Sequence, residues 1–129
     1  MTWRDYSYQE KVAILHSIGC VAMADGRVNY SENEHIMTTA MRIDINSYQN
    51  LISDSKKESI DTMISTLKNM SSEKKEDLGY LWMDCARHSR GGSASGNLSL
   101  EDYPEEQEII LELAKRCNVK VKESYTFYD

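Results

Sequence analysis

The pattern of this chain predicts an all-α protein, a compact helical domain of about six or seven helices. Three observations carry that prediction. Apolar residues recur at three- and four-residue steps through most of the 129 positions. Serines followed by acidic residues stand where helices should begin. There is one proline, Pro104, and little of the two-residue alternation that marks strands.

The first long run, roughly Tyr6 to Ala24, places Val12, Leu15, Gly19, Ala22 and Met23 on one side, with Ile14, Ile18 and Val21 widening the arc. An apolar arc this broad predicts a central, largely buried helix. Its other side carries Ala13, His16, Ser17 and Cys20, small enough for close packing. Ser31-Glu32-Asn33-Glu34 matches a capping box and predicts a second helix to about Ile43, burying Ile36, Met37, Ala40 and Met41. A short turn covers Tyr48, Leu51 and Ile52. A further helix runs from Lys56 to Met70, with Ile60, Met63, Ile64, Leu67 and Met70 on one face. Ser71 and Ser72 are candidate caps for the next helix, which buries Leu78, Leu81, Trp82, Cys85 and Ala86. Tyr80 and Met83 lie opposite that stripe, as either a second packing face or an exposed partner site. The stretch from Ser89 to Ser99 reads as a flexible loop. Pro104 suits the first turn of the last helix, whose stripe is Ile109, Ile110, Leu113, Ala114 and Cys117. The tail from 118 to 129 is either a docked extended segment or a frayed end, and its aromatics favour docking.

The composition bounds function. Hydrophobic residues make up 40% and charged residues 28%, which fits one ordinary globular domain over 1–129. Acidic residues outnumber basic ones 21 to 15, for a net charge of −6. That disfavours nucleic acid, which needs a positive surface. Three widely spaced cysteines without a CxxC predict buried thiols in a reducing compartment. The polar opening MTWRDYSYQE lacks a signal-peptide core, and no apolar run is long enough for membrane insertion. A cytoplasmic location is expected.

The chain also repeats itself. ADGRVN at 24–29 lines up with ASGNLS at 94–99. Ile36, Met37, Ala40 and Met41 line up with Ile109, Ile110, Leu113 and Ala114, the second corner carrying three extra residues. Each half, about 8–45 and 72–119, would be a long helix, a glycine corner with an inward apolar residue (Val28 or Leu98), and a capped second helix. Ala24, Asp25, Gly26, Val28, Glu32 and Ile36, with this weaker second copy, resemble the tellurite-resistance TerB-like family. The resemblance covers about residues 8 to 119. It implies two related helical hairpins with acidic residues at the corners, where the family is thought to bind divalent metal. By position, Asp25 and Glu32 match the first acidic motif, and Glu105 matches Glu32 in the second copy. Ser95 stands where the second copy would carry an aspartate.

Read without the resemblance, Asp25 and Gly26 can simply form a corner. Glycine supplies a left-handed residue and aspartate bonds nearby backbone N–H groups. Alternatively, Asp25 with Glu32 or Glu34 offers oxygens to Mg²⁺ or Ca²⁺. An EF-hand is excluded. Counting from Asp25, the third, sixth and twelfth residues are Arg27, Tyr30 and Ile36, where a calcium loop needs a ligand, a glycine and a glutamate. Glu106 either points to solvent near a helix start or joins Asp25 and Glu105 in a partly buried acidic site. Such a site would raise carboxylate pKa values unless a cation were bound. His16 and Cys20 share a helix face, but two ligands do not make a zinc site. His35 is expected on an exposed face, and His88 at the start of the loop. The methionines at helical spacing read as core filler. No G-x-S-x-G, P-loop, GxGxxG or HExxH occurs.

The expected function is therefore a non-enzymatic helical module with a protein partner, in stress- or metal-linked interactions. The alternative is a divalent-cation-binding protein with an acidic site of Asp25, Glu32, Glu105 and Glu106. The third is an enzyme of unrecognised chemistry.

Overall fold

Ser7 starts the first helix. Its hydroxyl accepts from the Glu10 N–H at 3.2 Å, and the Glu10 carboxylate accepts from the Ser7 N–H at 2.7 Å, a closed capping box. The computed structural model describes residues 5–26, 28–89 and 94–128. Among these, six helices alternate with short turns: α1 (Tyr8–Ala22), α2 (Tyr30–Ile43), α3 (Tyr48–Lys57), α4 (Ile60–Lys68), α5 (Ser72–Ala86) and α6 (Pro104–Cys117). Strand β1 (Gly96–Ser99) and a 3₁₀ turn at Leu100–Asp102 precede α6, and β2 (Ser124–Phe127) follows it. The fold is all-α with one small sheet. No helix among the described residues is long and apolar enough to cross a membrane.

The broad apolar arc of α1 makes it the hub, packed against α2, α3, α4, α5 and α6. Ala13, Ile14 and Ile18 enter the main core with Met63, Leu67, Leu78, Trp82 and Ile110. Val12 and Leu15 enter a smaller cluster with Ala40 and Leu51. Trp82 is fully buried because its indole N–H has a partner, donating to Ser17 Oγ at 2.8 Å. Ser17 in turn donates to the Ile14 carbonyl at 2.7 Å. A large aromatic can then sit at the centre without an orphaned donor.

Several expectations need correction. The cap of α2 is Asn29, not Ser31. Asn29 Oδ1 accepts from the Glu32 N–H at 2.7 Å, and Glu32 Oε1 accepts from the Asn29 N–H at 3.2 Å. An amide has a donor as well as an acceptor, so Asn29 Nδ2 also donates to the carbonyls of His88 at 3.3 Å and Ser89 at 2.7 Å. One side chain caps α2 and ties it to two carbonyls of the chain leaving α5. With this start, α2 turns Glu32, His35, Thr39 and Ala40 inward. Met37 and Met41, expected in the core, are exposed, as are Met23 and Val28.

The short turn expected over Tyr48, Leu51 and Ile52 is a full helix, α3, that runs on to Lys57, and the helix expected from Lys56 to Met70 is α4, which begins only at Ile60. The backbone is extended at Glu58, and Ser59 Oγ accepts from the Thr62 N–H at 3.1 Å to start α4. Ile60 then lies exposed at the start of α4. At α5, Ser71 is the cap that forms. The loop expected over 89–99 contains β1; its residues 90–93 lie outside the described residues. β1 pairs antiparallel with β2, in register Gly96↔Phe127 through Ser99↔Ser124. The tail is therefore docked. Phe127 is buried, Tyr80 packs on Tyr125 and Phe127, and the Arg87 guanidinium lies 4.8 Å above the Phe127 ring. Tyr80 thus serves a second packing face rather than a free partner surface. Gly79 lies under the Tyr125 ring, where a Cβ would collide with it.

The two glycine corners share a geometry, with Gly26 and Gly96 both at φ +94°. The burial pattern also resets the register of the two second helices. Glu32, His35, Ile36, Thr39 and Ala40 correspond to Glu106, Ile109, Ile110, Leu113 and Ala114 in being buried or packed on the core. The second corner carries four extra residues rather than three.

Candidate functional site

That shift moves the acidic correspondence by one residue. Tyr30 begins α2 and Pro104 begins α6, so Glu32 and Glu106 each occupy the third helical position. Glu105, one residue earlier, points to solvent. Glu32 and Glu106 are almost wholly buried, at 1% and 3% exposure. Glu106 Oε2 is buried and has no hydrogen-bond partner among the described residues.

Two carboxylates are costly to bury, and the helix N-termini offset only part of that cost. Burial pushes the Glu32 carboxyl up to about 7; the Asn29 N–H opposes the shift, while the charges of Asp25 and Glu106 add to it. Asp25, Glu32 and Glu106 therefore form one electrostatic group, with Asp25 on its exposed side. The Cys85 thiol lies within reach of Glu32, Asp84 and Glu106 and is raised well above its usual pKa, chiefly by burial. It donates to the Ile18 carbonyl at 3.6 Å, so it serves the core.

Beside the acidic pair lies a second polar group that the sequence reading did not assemble. His35, one turn beyond Glu32 on α2, is 8% exposed rather than on an open face. Its ring stacks on His88 with centroids 4.5 Å apart and planes 22° apart. His35 Nε2 is 3.7 Å from Asp84 Oδ2 and 3.5 Å from Thr39 Oγ1. Asp84 Oδ1 accepts from Arg87 Nε at 2.6 Å, and His88 Nδ1 is 3.1 Å from Ser31 Oγ. Burial pushes the His35 pKa down to about 4 against the pull of Asp84, with His88, Arg87 and Arg42 adding to the fall. His35 is a neutral imidazole at neutral pH. The sequence signal was available: Asp84 and His88 stand one helical turn apart, at the end of α5.

His16 and Cys20 do not gather metal ligands. His16 Nδ1 pairs with Glu58 Oε1 at 2.9 Å, and burial raises the Cys20 thiol. Both line a groove of about 690 Å³ between α1, α2 and α3, rimmed by Met23, Val28 and Met37. A raised thiol is a poor nucleophile at neutral pH.

No family model matches the sequence. No curated protein matches it either. Among solved structures, the chain is similar to the crystal structure of PG1108, a protein of unknown function from Porphyromonas gingivalis W83. The two share 18% identity at a TM-score of 0.72, over 94% of this chain and 91% of that one. The likeness shows the fold: a helical domain of this architecture, shared along nearly the whole length of both chains.

Proposed function

We propose that this chain is a non-enzymatic, TerB-like helical module whose buried acidic pair takes a hard divalent cation, Mg²⁺ or Ca²⁺. The observation that carries the proposal is Glu106 Oε2, a buried carboxylate oxygen without a partner among the described residues, in the electrostatic field it shares with a second buried carboxylate, Glu32. Native proteins rarely leave such an atom unsatisfied. Carboxylate oxygens are the donors that hard cations prefer, so the donor type suits the ion; among the described residues Asp25, Glu32 and Glu106 do not bring three ligand atoms within 4.8 Å of one another, so they would close on it when it binds. Glu32 and Glu106 would hold it from two helix starts, Asp25 would close its exposed side, and Glu105 would stay in solvent. When bound, the cation supplies charge compensation, and it joins the corner after α1 to the first turn of α6. Three free thiols, Cys20, Cys85 and Cys117, support a reducing, cytoplasmic setting. The net charge of −6 supports partners other than nucleic acid.

The test is a thermal melt of chelator-stripped protein against Mg²⁺, Ca²⁺, Mn²⁺ and Zn²⁺. Asp25→Ala and Glu106→Gln are run alongside. Ligand at about 100 times its dissociation constant adds roughly 2.7 kcal/mol. A midpoint raised by one hard ion and abolished in Glu106→Gln supports the site. No shift with any ion overturns it.

The groove beneath Met23 and Met37 supports a second reading, in which the module docks a partner through apolar side chains. An apolar fluorescent probe should bind there and be lost in Met37→Glu, which leaves the core untouched. Equal binding by both proteins would contradict it.

A further inference from the structure

We propose that His35, Asp84 and His88 form a separate site for a borderline transition-metal ion such as Zn²⁺, clamping α2 to the end of α5. One ligand atom from each residue lies within 4.8 Å of the other two, and the group is largely buried. The proposal stands apart from the acidic pair in residues and in ligand chemistry. Two imidazoles and one carboxylate suit zinc-like ions, whereas oxygen donors alone suit Mg²⁺ or Ca²⁺.

The geometry leaves room for an ion because protein groups hold the buried His35 ring only loosely. His35 is buried, yet Nε2 is 3.7 Å from Asp84 Oδ2, beyond hydrogen-bond range, and 3.5 Å from Thr39 Oγ1, at the limit of that range. Bonds of about 2.0–2.1 Å in a tetrahedral site set ligand atoms roughly 3.3 Å apart. The His35–Asp84 pair is within a few tenths of an ångström of that spacing. No pair need close by more than about 1.5 Å, which rotation of partly buried His88, in the turn after α5, can supply.

Neighbouring groups hold the ligands in place, as they do in metal sites. Arg87 Nε binds Asp84 Oδ1 at 2.6 Å and leaves Oδ2 toward His35, while the Ser31 hydroxyl lies 3.1 Å from His88 Nδ1. The Arg87 charge opposes a cation. The Asp84 carboxylate, paired with Arg87, offsets it. Three protein ligands leave a fourth position for water.

The experiment titrates Co²⁺, a spectroscopic stand-in for Zn²⁺, into chelator-stripped full-length protein and follows its visible d–d absorption. The expected result is a stoichiometric band, bleached by Zn²⁺ and not by excess Mg²⁺. It should be abolished in His88→Gln and His35→Gln, weakened about 10–100-fold in affinity in Ser31→Ala, and unchanged in Glu106→Gln. Circular dichroism reports folding; if His35→Gln unfolds, partly buried His88 decides. Absence of a stoichiometric band overturns the proposal. So does a band that survives His88→Gln, or one that disappears in Glu106→Gln while His88→Gln keeps it. The last outcome would put the ion at the acidic pair.

Discussion

Replacing Glu32 by glutamine should stabilise this protein at alkaline pH, and the size of the gain can be worked from the site. An unfolded glutamate titrates near 4.3–4.5, whereas the folded Glu32 carboxyl is pushed up to about 7. Between those values the folded state binds the extra proton, so stability falls as pH rises through the window. The full shift corresponds to at most about 3.5 kcal/mol, and nearer 2–3 once solvent on the Asp25 side is allowed for. Glutamine keeps the size and the acceptor that cap Asn29 and removes the charge. His35 acts in the opposite sense. Its folded pKa of about 4 lies below its ordinary 6.5, so its contribution is present above pH 6.5 and is lost as pH falls toward 4. In the native sequence the two slopes oppose each other between about pH 4.5 and 6.5. The clean quantity is the difference between variant and parent, measured by urea unfolding of chelated protein. Glu32→Gln should gain about 2–3 kcal/mol at pH 8, and the gain should vanish near pH 4. The variant alone should lose stability as pH falls from 6.5 to 4, because the His35 slope is then unopposed. A difference independent of pH, or a loss at pH 8, would refute the reasoning.

Other outcomes follow from the packing. Ser17→Ala leaves the buried Trp82 N–H without its 2.8 Å partner and should cost about 1–3 kcal/mol in chemical denaturation. Asn29→Ala should cost about 1–2 kcal/mol as the true cap of α2, while Ser31→Ala should leave thermal stability nearly unchanged. Phe127→Ala removes the buried anchor of β2 and should cost about 3–5 kcal/mol, with faster amide exchange at 124–127.

Residues whose burial follows from local period were legible. The stripes of α5 and α6 and the breadth of α1 could be read directly, because one helix face faced one core. Where a side chain chooses between two local partners, the sequence misled. Ser31-x-x-Glu34 is a valid capping box, but Asn29 caps α2 while its amide N–H₂ holds two carbonyls about sixty residues away, and Ser31 is left to contact His88. That choice rotates α2, exposes Met37 and Met41, and turns Glu32 and His35 inward. The acidic site was half legible for the same reason. Aligning Ile109 with Ile36 pointed to Glu105, whereas Pro104 sets the helix start so that Glu106 occupies the position of Glu32. The β1–β2 pairing joins four-residue segments whose alternation is too short to register. The histidine cluster needs α2 laid against α5: the Asp84–His88 spacing shows half of it, and nothing local brings in His35.

The measurement that bears most directly on the buried acidic pair is calorimetric titration of chelator-stripped protein with Mg²⁺ and with Ca²⁺ at pH 7, in two buffers of different ionisation enthalpy. Because the Glu32 carboxyl titrates near 7, a cation that binds there must displace roughly half a proton. The account predicts saturable one-to-one binding of one of these ions, with that proton release, and the loss of both in Glu106→Gln. Absence of binding by either ion, or binding without proton release that persists in Glu106→Gln, would contradict it.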